Sequence, residues 1–406
     1  MLPHLARPVR LTLGLALAAL LALPAAAFDT RATAAFVLDQ KTGTVLLSKN
    51  ADQPLPPASM SKLMTIYMAL EAIRDGRLRW DEELRTSEHA ASYGGSTLFL
   101  RPGERVSVRD LVRGVIVLSG NDASAVLAEA LSPDGTERGF ANAMTQRAQQ
   151  LGMTNSTFAN SNGWPAEGHR MSMRDLVLLA NRLITDFPEE YRMFAEEEFL
   201  FDEEESANRR NRNPILGIAG LGADGLKTGH TQEAGYGLVG SGRQGERRII
   251  FALTGLDSEK ARAEEAESIL NWGYRQFAEY EVGKQGERVA EADVWMGMQE
   301  RVGLVLTRDL TLLLPATSAG KVPGEVIYAT PLQAPIAAGT EVGTLILRPE
   351  GLPEIELPLA ADSAVAKGGF TQRVTTVAQL VVKRFLAGPD EAAPAETPAP
   401  DAEAGS

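Results

Sequence analysis

The sequence predicts an α+β fold followed by a small all-β domain, on three observations. Strand-like segments lie at both ends of the stretch from 34 to about 254, with helical spacing between them. One sheet is therefore assembled from the two ends, around a helical insertion. Beyond Gly283, short apolar runs alternate with Gly and Pro, the texture of a compact sandwich-like domain. Hydrophobic residues make up 44% of the 406 and charged residues 23%, the balance of a chain with a buried core.

Residues 1–27 place Arg7 and Arg10 before an apolar run, Leu11 to Leu23, and end in Ala25-Ala26-Ala27. That is the layout of a cleaved export signal, and the run is short of the ~20 residues that span a bilayer. Ala34 to Lys49 has two apolar stretches around Gln40-Lys41-Thr42-Gly43, a hairpin pattern. Pro54, Pro56 and Pro57 break the chain before Ser59. Met60 to Asp75 then has helical spacing through Leu63, Met64, Tyr67, Met68 and Leu70, with Gly76 as a stop. Ser107 reads as the N-cap of a helix through Leu111, Val115 and Leu118. Further helices are expected over Asp122–Leu131, Gly139–Leu151 and Met173–Thr185, strands over Tyr236–Val239 and Arg248–Thr254, and a charged helix over Glu259–Tyr280. These elements make a first domain over 28–283, and the Gly/Pro-punctuated runs a second over 284–370. Residues 371–387 read as an amphipathic helix with Val374, Val377, Val381 and Phe385 on one side. Residues 388–406 hold four prolines, five acids and no base, a disordered composition.

Composition excludes several chemistries. Forty basic against fifty-three acidic side chains leave a net charge of −13, which opposes nucleic-acid binding. The absence of cysteine removes disulfides, thiolate nucleophiles and zinc-thiolate sites. With four histidines, His4, His89, His169 and His230, no histidine-rich metal site is expected, and neither a metal nor an organic cofactor is assigned. His89 and His169 read as surface or loop residues.

Three short motifs follow in order: Ser59-Met60-Ser61-Lys62, Ser119-Gly120-Asn121 and Lys227-Thr228-Gly229. Each has a chance counterpart. Ser318-Ala319-Gly320-Lys321 repeats the first, Ser48-Lys49-Asn50 and Ser206-Ala207-Asn208 repeat the second, and Lys41-Thr42-Gly43 repeats the third. Context separates them. Ser59 opens a strongly periodic helix, so Ser59 and Lys62 share one face a turn apart. The helix start favours an oxyanion and disfavours a protonated lysine, which makes Lys62 a usable base. Lys227 leads into Gly-rich strand sequence whose edge can align a peptide while the ammonium pairs with its carboxylate.

At these residues the chain resembles the low-molecular-mass penicillin-binding proteins of the D-alanyl-D-alanine carboxypeptidase family. The resemblance extends through Pro57 to Thr65, Ser119 to Ala123 and Gly225 to Thr231, and it covers about Ala34 to Phe277. It implies the serine β-lactamase/DD-peptidase-like fold, an antiparallel sheet with helices on both faces plus a helical subdomain. It further implies that Ser59 attacks the carbonyl between two terminal D-alanines of a peptidoglycan pentapeptide and that Lys62 accepts the serine proton. Ser119 would relay a proton to the leaving amine, and Asn121 would position Lys62 and the substrate amide. Lys227 and Thr228 would hold the carboxylate with Arg212 nearby. The N–H groups of Ser59 and His230, the latter just after Gly229, would form the oxyanion hole. β-Lactams would acylate Ser59 as inhibitors. An exported enzyme is expected in the periplasm, attached peripherally to the outer face of the inner membrane through residues 371–387.

Two departures stand out. Thr254-Gly255-Leu256-Asp257 occupies the place of a second arginine in some relatives, and Asn160-Ser161-Asn162-Gly163-Trp164 lacks a histidine before the glycine. Other readings fit less well. A class A β-lactamase needs ExxLN between its second and third motifs, whereas Glu267-Ser268-Ile269-Leu270-Asn271 follows Lys227. A Ser-His-Asp hydrolase lacks a GxSxG elbow. An endopeptidase on cross-linked muropeptides or a non-catalytic wall-binding scaffold are the alternatives, the latter opposed by intact Ser59, Lys62, Ser119 and Lys227.

Overall fold

A computed structural model describes residues 28–201, 208–316 and 322–369. The expected leader over 1–27, helix over 371–387 and tail over 388–406 lie outside the described residues. So do Ser318-Ala319-Gly320-Lys321 and the first two residues of Ser206-Ala207-Asn208. The chain divides into two compact units. The first holds residues up to Tyr280 with 311–322 and 348–353, and the second holds 281–310, 323–347 and the residues from Glu354 onward. The chain therefore returns twice to the first unit after the boundary expected at 283.

The first unit opens with β1 (Ala34–Asp39) and β2 (Val45–Lys49), joined by the expected hairpin turn. A 3-10 turn over Ala58–Ser61 runs directly into α1 (Lys62–Arg74). The helical region continues through β3 (Glu83–Arg85), the single turn α2 (Glu88–Ala91), β4 (Arg105–Ser107) and α3 (Val108–Arg113), which a π-helical turn over Gly114–Leu118 extends. Next come α4 (Asn121–Leu131), α5 (Glu137–Gln150) and α6 (Met173–Asp186). The chain then completes the sheet with β5 (Ala223–Thr231), β6 (Gly235–Gln244) and β7 (Arg247–Leu256), and covers it with α7 (Glu259–Arg275).

The sheet runs β2-β1-β7-β6-β5 and is antiparallel throughout. N- and C-terminal strands meet at β1 and β7, where Phe36 faces Ala252 and Val37 faces Phe251. Alternation along these strands sends side chains to two cores. Ala35, Val37, Leu238, Ile249, Phe251 and Leu253 pack with Ala266, Ile269 and Leu270 of α7. Phe36, Val239, Ile250 and Ala252 pack instead with α1 and the helices of the insertion. Both faces of the sheet are thus covered, and α1 is buried along most of its length, with Arg74 at its end exposed.

Two expectations change at element ends. The helix after β7 stops at Arg275, and Phe277–Gly283 forms β8, because the spacing from Phe277 is two-residue alternation and the segment pairs with β11 (Leu310–Pro315). The α-helix expected from Met60 begins at Lys62, with Ser59 inside the preceding 3-10 turn.

The second unit is all-β. It is built from β9 (Arg288–Trp295), β10 (Arg301–Leu306), β12 (Gly324–Tyr328), β13 (Leu332–Gln333), β14 (Glu341–Leu347) and β15 (Ile355–Ala361). These form one six-stranded sheet in the order β12-β14-β15-β10-β9-β13.

Candidate active site

The nine residues singled out from the sequence lie on four segments of the first unit. Ser59 is half-buried in the 3-10 turn, and Lys62 opens α1 with no exposed surface. Lys62 Nζ lies 2.8 Å from Ser59 Oγ and 2.7 Å from Asn121 Oδ1, and it also donates to the Asn162 carbonyl. Burial pushes Lys62 well below its ordinary pKa, and the nearby Lys227 and Arg212 push in the same direction. A neutral amine has two N–H donors and one lone pair. Asn121 Oδ1 and the Asn162 carbonyl can only accept, so they take both N–H groups and leave the lone pair to the Ser59 hydroxyl. In the neutral form the lone pair of Lys62 would thus face Ser59 Oγ.

Ser119 and Asn121 are placed by the turn between α3 and α4. The π-helical turn ends at Ser119, whose φ of 63° is left-handed, and the chain re-enters helix at Asn121. Nδ2 of Asn121 donates to the Gly94 carbonyl at 2.8 Å and its backbone N–H to the Ser96 carbonyl at 2.7 Å. These bonds fix which end of the amide meets Lys62. Beside it, the buried Asp122 carboxylate accepts from the N–H groups of Leu98, Leu100 and Ala123. Segment 94–100 is thereby held against the motif.

Lys227, Thr228, Gly229 and His230 lie on β5, an edge strand beside the nucleophile turn. A Cβ on Gly229 would come within 2.9 Å of the Pro57 carbonyl oxygen and 3.2 Å of Ala58 Cβ, so glycine lets the strand approach Ser59 closely. Lys227 is buried, and its pKa falls to about 7 through burial and the neighbouring Arg212 and Arg262. Arg212 donates to Ser96 Oγ, which brings it across to segment 94–100. His230 is exposed and stacks on Tyr236 with ring centroids 3.9 Å apart.

Several residues of the site escaped the sequence reading. Glu137 accepts from the backbone N–H and hydroxyl of Ser161, from Tyr93 and from His89, and so fixes the loop that offers the Asn162 carbonyl to Lys62. Arg262 on α7 is buried, its Nε has no hydrogen-bond partner among the described residues, and its guanidinium lies over the ring of Tyr236 at 5.7 Å. His169, expected at the surface or in a loop, is a loop residue but buried. Its Nδ1 accepts from the Ala159 N–H, and burial, reinforced by Lys62 and Arg170, lowers its pKa to about 4. None of these carries a local signal, since each acts through partners distant in sequence.

The chance motifs have structural uses. Lys41 pairs with Glu279 at 2.9 Å, and Lys49 and Asn50 hydrogen-bond the carbonyls of Thr30 and Thr33. Glu267 to Asn271 lies on α7, with Ile269 and Leu270 in the core.

Comparison with known proteins gives the same picture. The family described as D-alanyl-D-alanine carboxypeptidase matches residues 22–258, and the penicillin-binding protein 5 C-terminal domain matches 277–367. The chain is 34% identical to the D-alanyl-D-alanine carboxypeptidase DacF of Bacillus subtilis over 84% of this chain and 87% of that protein. A crystal structure of the D-alanyl-D-alanine carboxypeptidase DacD from Francisella tularensis is similar at a TM-score of 0.70 and 28% identity, covering 85% of this chain and 96% of that one. Penicillin-binding protein D2 from Listeria monocytogenes, in its ampicillin-bound form, is similar at a TM-score of 0.55 and 32% identity, covering 61% and 99%. With the family model matching more than half of this chain and a relative 34% identical over 84% of it, the chain belongs to the D-alanyl-D-alanine carboxypeptidase family of low-molecular-mass penicillin-binding proteins and is a serine-type hydrolase of that activity.

Proposed function

We propose that Ser59 is the nucleophile of this carboxypeptidase and that Lys62 is its base. The observation that carries the proposal is the buried Lys62 nitrogen 2.8 Å from Ser59 Oγ, with its other donors occupied by Asn121 and the Asn162 carbonyl. Ser59 Oγ adds to the carbonyl of the penultimate D-alanine of a peptidoglycan stem pentapeptide as its proton passes to Lys62. The tetrahedral oxyanion is met by the N–H groups of Ser59 and His230. Collapse breaks the amide bond, and the departing amine takes its proton by way of Ser119. Free D-alanine leaves an ester on Ser59. Water then adds to that ester, giving its proton to Lys62; the Ser59 Oγ–acyl bond breaks as Lys62 returns that proton to Ser59 Oγ, and the shortened peptide departs.

The terminal carboxylate is held by Thr228 and by the charge of Lys227 and Arg212. This assignment is supported by a cluster of cations, including buried Lys227 and Arg262, whose burial costs free energy that a bound anion would offset. β-Lactams present an acyl group of the same kind, acylate Ser59 and leave slowly. The leader-like residues 1–27 support export to the periplasm. Residues 371–387, with Arg373, Lys383 and Arg384, support peripheral attachment to the outer face of the inner membrane, and among the described residues no helix is long and apolar enough to cross one.

The test is D-alanine release from a stem pentapeptide by wild type and by Ser59→Ala. Release should fall by at least ~10⁴-fold in the variant. Release that survives in Ser59→Ala would refute the nucleophile.

A further inference from the structure

We propose that a second site in the first unit, a cavity at the foot of β5, binds the N-acetylated glycan of peptidoglycan. The proposal rests on the reading that peptidoglycan is the substrate, and it concerns the sugar chain rather than the stem peptide. The cavity measures about 800 Å³ and holds none of the residues assigned to the chemistry. It lies between the end of α6, segment 188–195 and the ends of β5, β6 and β7, with the β1–β2 turn at its edge. Its volume is that of a site for a ligand of several rings.

Charge disfavours ionic ligands. Arg192 pairs with Glu189 at 3.1 Å, Arg243 with Glu246 at 3.6 Å and Arg248 with Asp224 at 2.7 Å, all within the cavity wall. Lys41, also in the wall, pairs with Glu279 at 2.9 Å. Each cation there has an acid of its own, so an ionic ligand must separate a pair. The Asp224 pair is also fixed from a second side. Asp224 accepts from the Tyr191 hydroxyl at 3.0 Å, and Arg248 lies over the Tyr191 ring at 5.4 Å. A neutral ligand rich in hydroxyl and amide groups meets this wall with no pair to break, because paired side chains keep further donors and lone pairs to offer.

Two amides narrow the class. Gln40 Nε2 donates to Asn181 Oδ1 at 2.8 Å. Gln40 Oε1 and Asn181 Nδ2 are left without a partner among the described residues, one acceptor and one donor on adjacent amides. An acetamido group carries one N–H and one C=O, the complementary set. Ile184, Pro188 and Ala195 add apolar wall for its methyl group and for the C–H face of a sugar ring. A chain of N-acetylhexosamines repeats that group on every ring, and it is the chain from which the stem peptides of peptidoglycan hang. Asp224 lies three residues before Lys227 on β5, about 10 Å along the strand. Glycan bound at the cavity therefore keeps stem peptides at a high local concentration beside the catalytic unit.

The experiment measures binding of chitopentaose, a pentamer of N-acetylglucosamine, by saturation-transfer NMR, with maltopentaose, which lacks acetamido groups, as the control. Wild type and Ser59→Ala should bind chitopentaose alike, and about tenfold more tightly than maltopentaose. Asn181→Asp keeps the oxygen that Gln40 bonds but replaces the free donor with an acceptor, and should weaken binding about tenfold. Thr185→Trp fills the cavity from an exposed position and should abolish binding. D-alanine release from a soluble pentapeptide should stay within about twofold in both variants, which reports that they are folded. No binding by wild type, equal binding of the two sugars, or undiminished binding by either variant would overturn the proposal. Chitopentaose binding by a wild type that releases no D-alanine would instead refute the reaction assigned to Ser59 and leave the glycan site standing.

Discussion

Lys227 has two demands placed on it by its surroundings. Burial first, and then Arg212 and Arg262, bring its pKa down to about 7, while the carboxylate recognition proposed for it needs the ammonium. In the unfolded chain the group titrates near 10.5, so between about pH 7 and 10.5 the unfolded state binds more protons and stability rises with pH through that window. Carboxylate binding moves the opposite way, because the free protein loses the charge as pH rises through about 7. We therefore expect kcat/KM, which reports the free enzyme, to fall toward ~tenfold per unit above about pH 7. Lys227→Arg keeps its charge and should move that limb upward by at least ~2 units, even if its maximum is lower. A pH–rate profile of the variant with an unchanged alkaline limb would remove Lys227 from the binding site.

At the level of elements, the site is an assembly of turns pinned by buried acids. Asp122 holds segment 94–100, Glu137 holds Ser161, and the two pinned segments supply the carbonyls of Gly94, Ser96 and Asn162 that accept from Asn121 and Lys62. The sequence made the three motifs legible because their spacing is local: Ser59 and Lys62 share a turn, and Lys227 to His230 share a strand. It did not reveal the Asn162 carbonyl, 100 residues from Lys62, or the burial of His169, since these depend on which loops the fold brings together. The helix expected through Tyr280 failed for a related reason, because strand pairing at Phe277 ended it. Gly163 is where this assembly is tightest. Its φ is +83°, and a Cβ would stand 1.9 Å from the Ala58 carbonyl oxygen and 2.8 Å from Ser61 Oγ. Gly163→Ala must displace either the loop or the nucleophile turn, and should cost about 2–3 kcal/mol of stability. A shift approaching 1 Å at Ser59 should slow acylation by roughly 10²-fold. Thermal unfolding and labelled-penicillin acylation both at wild-type values would show that the close approach has no such role.

On the scale of the whole molecule, catalysis and attachment belong to different stretches of sequence. Every residue assigned to the chemistry lies between Pro57 and Arg262 in the first unit, whereas the proposed attachment lies in 371–387. The chain is acidic overall, and residues 388–406 add five acids and no base, so anionic headgroups repel most of the protein. Only Arg373, Lys383 and Arg384 beside the apolar side of 371–387 favour such a surface, at ~1 kcal/mol each near the membrane. Attachment built this way is weak and salt-sensitive, because the charge contribution is screened within a Debye length. Deleting 371–406 should move the protein from the membrane fraction to the soluble one and leave D-alanine release from a soluble pentapeptide within about twofold. Raising the salt from ~0.1 to ~1 M should release part of the full-length chain, since the Debye length falls from ~10 to ~3 Å. Unchanged fractionation after the deletion would refute attachment through this segment. Lost hydrolysis would instead show that the terminal residues support the catalytic unit, a role that the placement of the site in the first unit argues against.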